Sequence, residues 1–117
     1  MELSAAELAA LRADLEALAH ELLEALDGSA DAARPVELDQ PTMGRVSRID
    51  AMQQQKMLVA NRQAQRARLQ LVRSALRRFD EDEYGDCLSC GESVGHARLK
   101  ARPESFFCIT CQTARER

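Results

Sequence analysis

The four cysteines of this 117-residue chain fall into two pairs of identical spacing near the C-terminus. The pairs are Cys-Leu-Ser-Cys at 87–90 and Cys-Ile-Thr-Cys at 108–111. Each Cys-x-x-Cys turn supplies two thiolates, and two such turns complete a tetrahedral zinc shell. Gly91 follows the first pair, where tolerance of positive φ lets the chain turn around a metal. The sequence therefore predicts structural zinc at Cys87, Cys90, Cys108 and Cys111, with two disulfides or four free thiols as the alternatives.

The composition argues against a large compact core. Aromatic residues make up 3% of the chain and tryptophan is absent, yet 45% of residues are hydrophobic and 30% are charged. That balance is typical of long, thin helical packing. The N-terminal segment MELSAAELAA carries acidic residues and no long apolar run, so we expect neither a signal peptide nor a membrane span. The expected location is the cytoplasm, where thiols stay reduced.

The first segment predicts a helix over about residues 4–27. Ser4 and Glu7 form the Ser-x-x-Glu pattern of a capping box, which marks a helix start. Apolar residues then recur at steps of three and four, as expected of a narrow seam that packs on one partner helix. They are Leu8, Leu11, Leu15, Leu18, Leu22 and Ala25. Asp27, Gly28 and Ser29 predict the end of this helix.

A second helix, antiparallel to the first, is predicted over residues 42–79, after a connector at 28–41 that contains two prolines. One apolar stripe is expected to face the first helix: Val46, Ile49, Met57, Ala60, Ala64, Ala67 and Leu71. A second stripe is expected to pack on the C-terminal module: Leu69, Val72, Leu76 and Phe79. The predicted fold is all-α, with a long antiparallel helical hairpin (a coiled coil) at 1–79. A four-cysteine zinc-finger module at 80–117 would follow, with a short terminal helix around 109–116.

Charge is partitioned along the chain. Residues 1–44 carry ten acidic and two basic side chains, whereas residues 45–79 carry one acidic and nine basic side chains. A basic helix allows a nucleic-acid interpretation. We favour instead the mutual attraction of an acidic and a basic helix across the hairpin, because no aromatic platform for base stacking accompanies the arginines.

The sequence around the cysteines resembles the DksA/TraR family of C4 zinc-finger proteins. The resemblance is carried by YGDCLSCGE at 84–92, ARLKARP at 97–103 and CITCQ at 108–112, and SRIDAM at 47–52 is similar to short family members. It implies a cytoplasmic transcription regulator that binds RNA polymerase, its hairpin entering the secondary channel. We also expect a monomer, no sequence-specific DNA binding and no membrane partner.

The family's hairpin tip carries acidic residues that act near the polymerase catalytic centre. Here the connector offers Asp31, Glu37 and Asp39 as the corresponding partner-binding candidates, although the family's Asp-x-x-Asp-x-Ala pattern is absent. The family also has a guanosine tetraphosphate pocket. Arg102 matches one of its basic positions, whereas Leu71 and Gln112 stand where others would be basic.

A candidate basic patch lies between the two cysteine pairs, at Arg98, Lys100 and Arg102. Cations placed there can offset the excess negative charge of a zinc tetrathiolate. Catalytic zinc keeps an open coordination position, whereas four cysteines close the shell, so we do not expect an enzyme. Two alternatives stay open: a zinc-stabilised coiled-coil adaptor, and a DNA-binding zinc protein that uses the basic helix without channel activity. DNA binding would weaken steeply with salt.

Overall fold

The computed structural model describes residues 2–34 and 45–117. Four helices follow in order: α1 Ala5–Ser29, α2 Arg45–Asp80, α3 His96–Ala101 and α4 Ile109–Arg115. α1 and α2 lie side by side and antiparallel, and the molecule measures 63 × 32 × 20 Å. Apart from one isolated bridge between Asp86 and Ser93, the described ranges hold no β-structure. The predicted all-α class, with its helical hairpin and terminal helix, is confirmed.

The start of α1 is fixed by the predicted capping box. The Ser4 backbone N–H donates to Glu7 Oε1 at 2.9 Å, and the Glu7 N–H donates to Ser4 Oγ at 3.1 Å. Hydrogen bonds that the Ser4 backbone N–H and the Ser4 hydroxyl donate to the carboxylate stabilise its ionised form and hold the pKa of Glu7 below its usual value. His96 of α3 lies 3.2 Å from the other Glu7 oxygen, so the start of α1 also contacts the C-terminal module.

The end of α1 is stabilised by a side chain of α2 and is not marked by Gly28. Gly28 lies inside the helix, which continues to Ser29 and is capped at Ala30 in an ordinary right-handed conformation. The buried Arg62 of α2 donates from Nη1 to the Leu26 carbonyl and to Ser29 Oγ. A cation at a helix C-terminus satisfies carbonyls that have no helical partner and opposes the negative end of the helix dipole.

The seam that joins the two helices differs from the predicted one. Leu15 and Leu22 share a buried cluster with Leu69, Val72 and Ala75 of α2. The stripe expected to face α1 is instead exposed: Met57 and Leu71 are 68% and 41% exposed, and Ala60, Ala64 and Ala67 are also open to solvent. That prediction was wrong because the larger Leu and Val side chains bury more apolar area than alanines do.

The C-terminal module is packed against the base of the hairpin through two apolar groups. Tyr84 and Phe106 border the seam cluster, so the stripe of Leu69 and Val72 contacts the module as well as α1. Leu11 of α1 belongs to a second cluster, with Cys87, Val94 and Leu99 of the module. The rings of Phe79 and Tyr84 stack between the two clusters, with centroids 4.1 Å apart.

The expected ion pairing between acidic α1 and basic α2 is not seen. Within the described ranges, one ion pair joins the two helices, and it runs the opposite way, from Arg12 of α1 to Asp80 of α2 at 3.6 Å. Apolar burial and the Arg62 cap therefore set the register of the hairpin, and most basic side chains of α2 are left for other roles.

Of the three candidate residues at the tip, the structure describes Asp31 alone. Asp31 lies in the turn after α1, exposed and 3.0 Å from Arg34. Glu37, Asp39, the second half of the connector and the predicted helix start at residue 42 lie outside the described residues. Among the helices that are described, none is long and apolar enough to cross a membrane.

Candidate zinc site

The two Cys-x-x-Cys turns bring all four cysteine sulfurs into one cluster. The Sγ atoms of Cys87, Cys90, Cys108 and Cys111 all lie within 4.8 Å of one another, and none is in a disulfide. The Sγ atoms of Cys90 and Cys108 are 3.8 Å apart. A tetrahedral zinc ion with Zn–S bonds of about 2.3 Å requires sulfurs about 3.8 Å apart. The donor set and its spacing therefore fit zinc.

Backbone hydrogen bonds shape the first cysteine turn. The Cys87 N–H donates to the Glu92 carbonyl at 2.7 Å, and the Gly91 N–H donates to the Cys87 carbonyl at 3.0 Å. Gly91 has a φ of 76°, as the sequence predicted. The Leu88 N–H donates to the Phe106 carbonyl at 2.9 Å and so joins the first turn to the segment that leads into the second.

A second glycine lets the N-terminus close over this turn. Gly85 has a φ of 99°, and a Cβ built on it would lie 3.1 Å from Leu3 Cδ1. A side chain at this position would therefore be strained in its backbone and crowded by Leu3. This contact ties the residues before α1 to the first cysteine turn.

The environment of the thiols gives Cys87 and Cys111 different pKa values. Burial raises the pKa of Cys87, but backbone N–H groups of Cys108, Cys90 and Ser89 outweigh it and lower the pKa to about 6. The Cys108 side chain, as its hydrogen-bond partner, is the main cause that raises the pKa of Cys111 to about 12. The site thus favours the thiolate of Cys87 and disfavours that of Cys111, and a bound divalent cation would supply the charge that allows all four cysteines to ionise.

Arg78 fixes the junction between α2 and the first cysteine turn. This buried side chain donates from Nη2 to the carbonyls of Glu83 and Asp86, at 2.8 and 2.9 Å. Its guanidinium carbon also lies 5.5 Å from the centre of the Phe106 ring. The acidic stretch after α2 is therefore anchored through its backbone while its carboxylates face solvent.

The three residues of the predicted basic patch have separate surroundings. Arg98 donates from Nε to the Phe107 carbonyl at 3.0 Å, directly before Cys108. Arg102 donates from Nε to Glu104 at 3.2 Å, and Lys100 is exposed. Arg98 is thus the member of this group that supports the second cysteine turn.

Glu104 is the site residue that the sequence analysis missed. It is 2% exposed, and its carboxylate lies against Arg68 of α2 as well as Arg102. A buried carboxylate is stabilised when cations and hydrogen-bond donors surround it. A single acidic residue after Pro103 carries no signal of burial, because acidic side chains are mostly exposed.

A known family of zinc fingers matches the module that carries the four cysteines. Residues 82–117 match the prokaryotic dksA/traR C4-type zinc finger, and these residues contain all four clustered cysteines. The C-terminal module is therefore similar to the C4 zinc finger of the dksA/traR family. This module occupies the C-terminal end of the chain, and the hairpin precedes it.

The similarity to known proteins extends beyond the zinc finger. The chain is 29% identical over 111 residues to the RNA polymerase-binding transcription factor DksA of Escherichia coli K12, covering 95% of this chain and 72% of the relative. The Haemophilus influenzae protein of the same name is 39% identical over 56 residues, 48% of this chain and 39% of the relative.

The structure of transcription factor DksA2 from Pseudomonas aeruginosa superposes with a TM-score of 0.76 at 23% identity, over 97% of this chain and 85% of that one. This likeness shows a shared fold.

Proposed function

We propose that this protein is a cytoplasmic transcription regulator that binds RNA polymerase as a monomer. The observation that carries the proposal is the similarity to the E. coli RNA polymerase-binding transcription factor, which extends over 95% of this chain and so includes the hairpin as well as the zinc finger. In this account the protein acts by contact with polymerase. It neither catalyses a reaction nor reads a DNA sequence.

We further propose that the hairpin enters the secondary channel of the polymerase. The 25 residues of α1 and the 36 of α2 correspond to rods about 37 and 54 Å long. Two helices held by one narrow seam form a rod thin enough for a channel while needing little core of their own. In the division of labour that we propose, residues 1–79 form the inserted hairpin and residues 80–117 remain outside as its base.

Zinc is proposed to act structurally at that base, with Cys87, Cys90, Cys108 and Cys111 as its ligands. Bound there, it would hold the two cysteine turns together and fix the apolar surface on which Leu11 packs. Arg98, Lys100 and Arg102 would offset part of the negative charge of the thiolates.

The tip is proposed to act through the carboxylates of Asp31, Glu37 and Asp39. Asp31 follows the end of α1 that lies away from the zinc base, and its side chain is exposed. Carboxylates carried into a metal-containing active centre would alter its electrostatics strongly, although they contribute little to folding.

Binding of the purified chain to core RNA polymerase, with competition by an established secondary-channel factor, tests the proposal. We expect mutually exclusive binding. Binding without competition would point to another docking site, and no binding would favour the adaptor alternative.

A variant with Asp31→Asn, Glu37→Gln and Asp39→Asn separates binding from regulation. It should bind polymerase like the parent but lose the effect on transcription. A control with Glu21→Gln, Glu24→Gln and Asp27→Asn removes three charges from the side of α1 and should keep that effect. Regulation by the tip variant equal to that of the parent would contradict the acidic-tip mechanism.

A further inference from the structure

One face of α2 carries a line of polar and basic side chains that takes no part in the hairpin. The line is spaced at alternating steps of three and four residues, so that its members share a helix face. All five are exposed: Gln63, Arg66, Gln70, Arg73 and Arg77. We call this set the basic stripe. Its three arginines are separated along the helix axis by about 10 and 6 Å.

The three arginines of the basic stripe have no carboxylate partner within the described parts of the chain. Arg66 and Arg73 make no ion pair or hydrogen bond there, and Arg77 donates only to Ser74 Oγ at 2.8 Å. Arg62 caps α1 and Arg68 pairs with Glu104. Arg62 and Arg68 thus have structural partners, whereas the arginines of the stripe are available to bind another molecule.

The acidic side chains of α1 do not neutralise the stripe. α1 carries six acidic residues and one arginine between residues 5 and 29, yet its single ion pair to α2 involves Arg12 rather than one of its carboxylates. The hairpin therefore presents an acidic helix and a basic stripe separately. The basic stripe attracts an acidic partner and the acidic helix repels it. Together they fix the orientation in which the partner can dock.

We propose that the basic stripe docks on an acidic protein surface of RNA polymerase. This inference rests on the proposed function and names the face of the hairpin that makes the contact. The guanidinium group suits carboxylates because its fork of N–H donors pairs with both oxygens. Carboxylates spaced about 10 and 6 Å apart on the partner would match the three arginines.

Two observations favour a protein over a nucleic acid as the partner. The aromatic residues of the described chain, Phe79, Tyr84, Phe106 and Phe107, lie in the clusters at the zinc base, so none is available on the stripe for base stacking. The whole chain carries a net charge of −3. That charge repels a long polyphosphate at a distance, whereas a local acidic patch experiences mainly the nearby arginines.

The test compares two variants that remove the same charge from different faces. Arg66→Gln with Arg73→Gln alters the stripe, and Arg12→Gln with Arg117→Gln is the matched control. The dissociation constant for core RNA polymerase is measured at about 50 and about 200 mM salt, spanning strong and weak screening. We expect the stripe variant to bind about tenfold more weakly at the lower salt, with a smaller difference at the higher salt. The control should stay within about twofold of the parent.

The outcomes separate this inference from the proposed function. A parent that binds polymerase, with a stripe variant that binds equally well, overturns the stripe and leaves the proposed function standing. Equal weakening of the stripe and control variants also overturns it, because the effect is then one of net charge. Displacement of polymerase by a duplex DNA of arbitrary sequence would assign the stripe to phosphates instead. If the parent protein does not bind polymerase, both the stripe inference and the proposed function are wrong. Far-UV circular dichroism and thermal melting confirm that each variant is folded.

Discussion

Arg68 of α2 and Glu104 of the zinc module form a two-point ion pair, with Nε and Nη2 of the arginine each 3.4 Å from a different carboxylate oxygen. The glutamate side chain is 2% exposed and the arginine 40%. An ion pair of this geometry is directional, whereas the apolar clusters around it are not. It therefore orients the zinc module on the hairpin, which apolar packing alone does not achieve.

Replacing Glu104 by Gln keeps the shape of this side chain and removes its charge. Arg68 and Arg102 would then share no carboxylate, and we expect the free energy of unfolding to fall by about 2 kcal/mol. Urea denaturation measures the change. Glu81→Gln, at an exposed position, is the control and should stay within about 0.5 kcal/mol. Equal stability of the two variants would show that the ion pair contributes nothing net.

The seam of the hairpin gives a second prediction. Leu15 is fully buried in the cluster with Val72 and Ala75, whereas Leu23 on the same helix is 45% exposed. Leu15→Ala should lower the free energy of unfolding by about 2–4 kcal/mol, because it removes apolar contacts and leaves a cavity. Leu23→Ala should cost less than about 1 kcal/mol. Similar losses from both substitutions would contradict the seam described here.

The sequence predicted the helices and the two cysteine turns, but it indicated the wrong face of α2 for the contact with α1. The capping box of α1 and the cysteine turns are local patterns, so their geometry follows from a few neighbouring residues. α2 carries two apolar stripes with the same periodicity, and periodicity alone does not decide which one meets α1. The choice depends on the size of the facing side chains and on Arg62, a charged residue buried within the seam.

The base of the hairpin was less predictable, because its contacts join residues that are far apart in the chain. Glu104 meets Arg68 across 36 positions, and His96 meets Glu7 across a larger gap. Neither residue pair has a local pattern that marks it. The position of Asp31, in contrast, follows from the sequence, because this residue lies in the turn after α1.

Loss of one zinc ligand should loosen more than the zinc module. Cys90→Ser opens the shell, and we expect zinc content to fall from about one per chain to well below half. Leu11 packs against Cys87 and Leu99, so the first turns of α1 should also lose protection from hydrogen exchange. Ser89→Ala, within the same turn, is the control and should keep its zinc. Full zinc content in the Cys90 variant would contradict a four-cysteine site.

Tyr84 should make stability sensitive to alkaline pH. Burial, followed by the charges of Glu104 and Asp14, raises the pKa of this phenol above its usual value near 10. The folded state thus holds the proton after the unfolded state has released it, so stability is complete below pH of about 10 and declines as pH rises further.

The same hydroxyl donates to the Pro103 carbonyl at 2.8 Å. Tyr84→Phe should therefore be about 1 kcal/mol less stable than the parent at pH near 8. This gap should narrow above pH of about 10, because the variant has no phenol to ionise. Urea denaturation from pH of about 8 to above about 10 measures the difference in stability between the two proteins. A difference that widens with pH would contradict the raised pKa of Tyr84.

Site-specific cross-linking from the end of the hairpin shows whether the hairpin enters the channel. A photo-cross-linking amino acid at Ala32, exposed beyond α1, would report where the tip lies in the complex with RNA polymerase. The same amino acid at Leu88, which is 58% exposed on the zinc module, reports on the base. The account predicts cross-links from Ala32 to segments that line the catalytic centre and cross-links from Leu88 to the outer rim of the channel. Cross-links from both positions to the outer surface alone would contradict insertion of the hairpin.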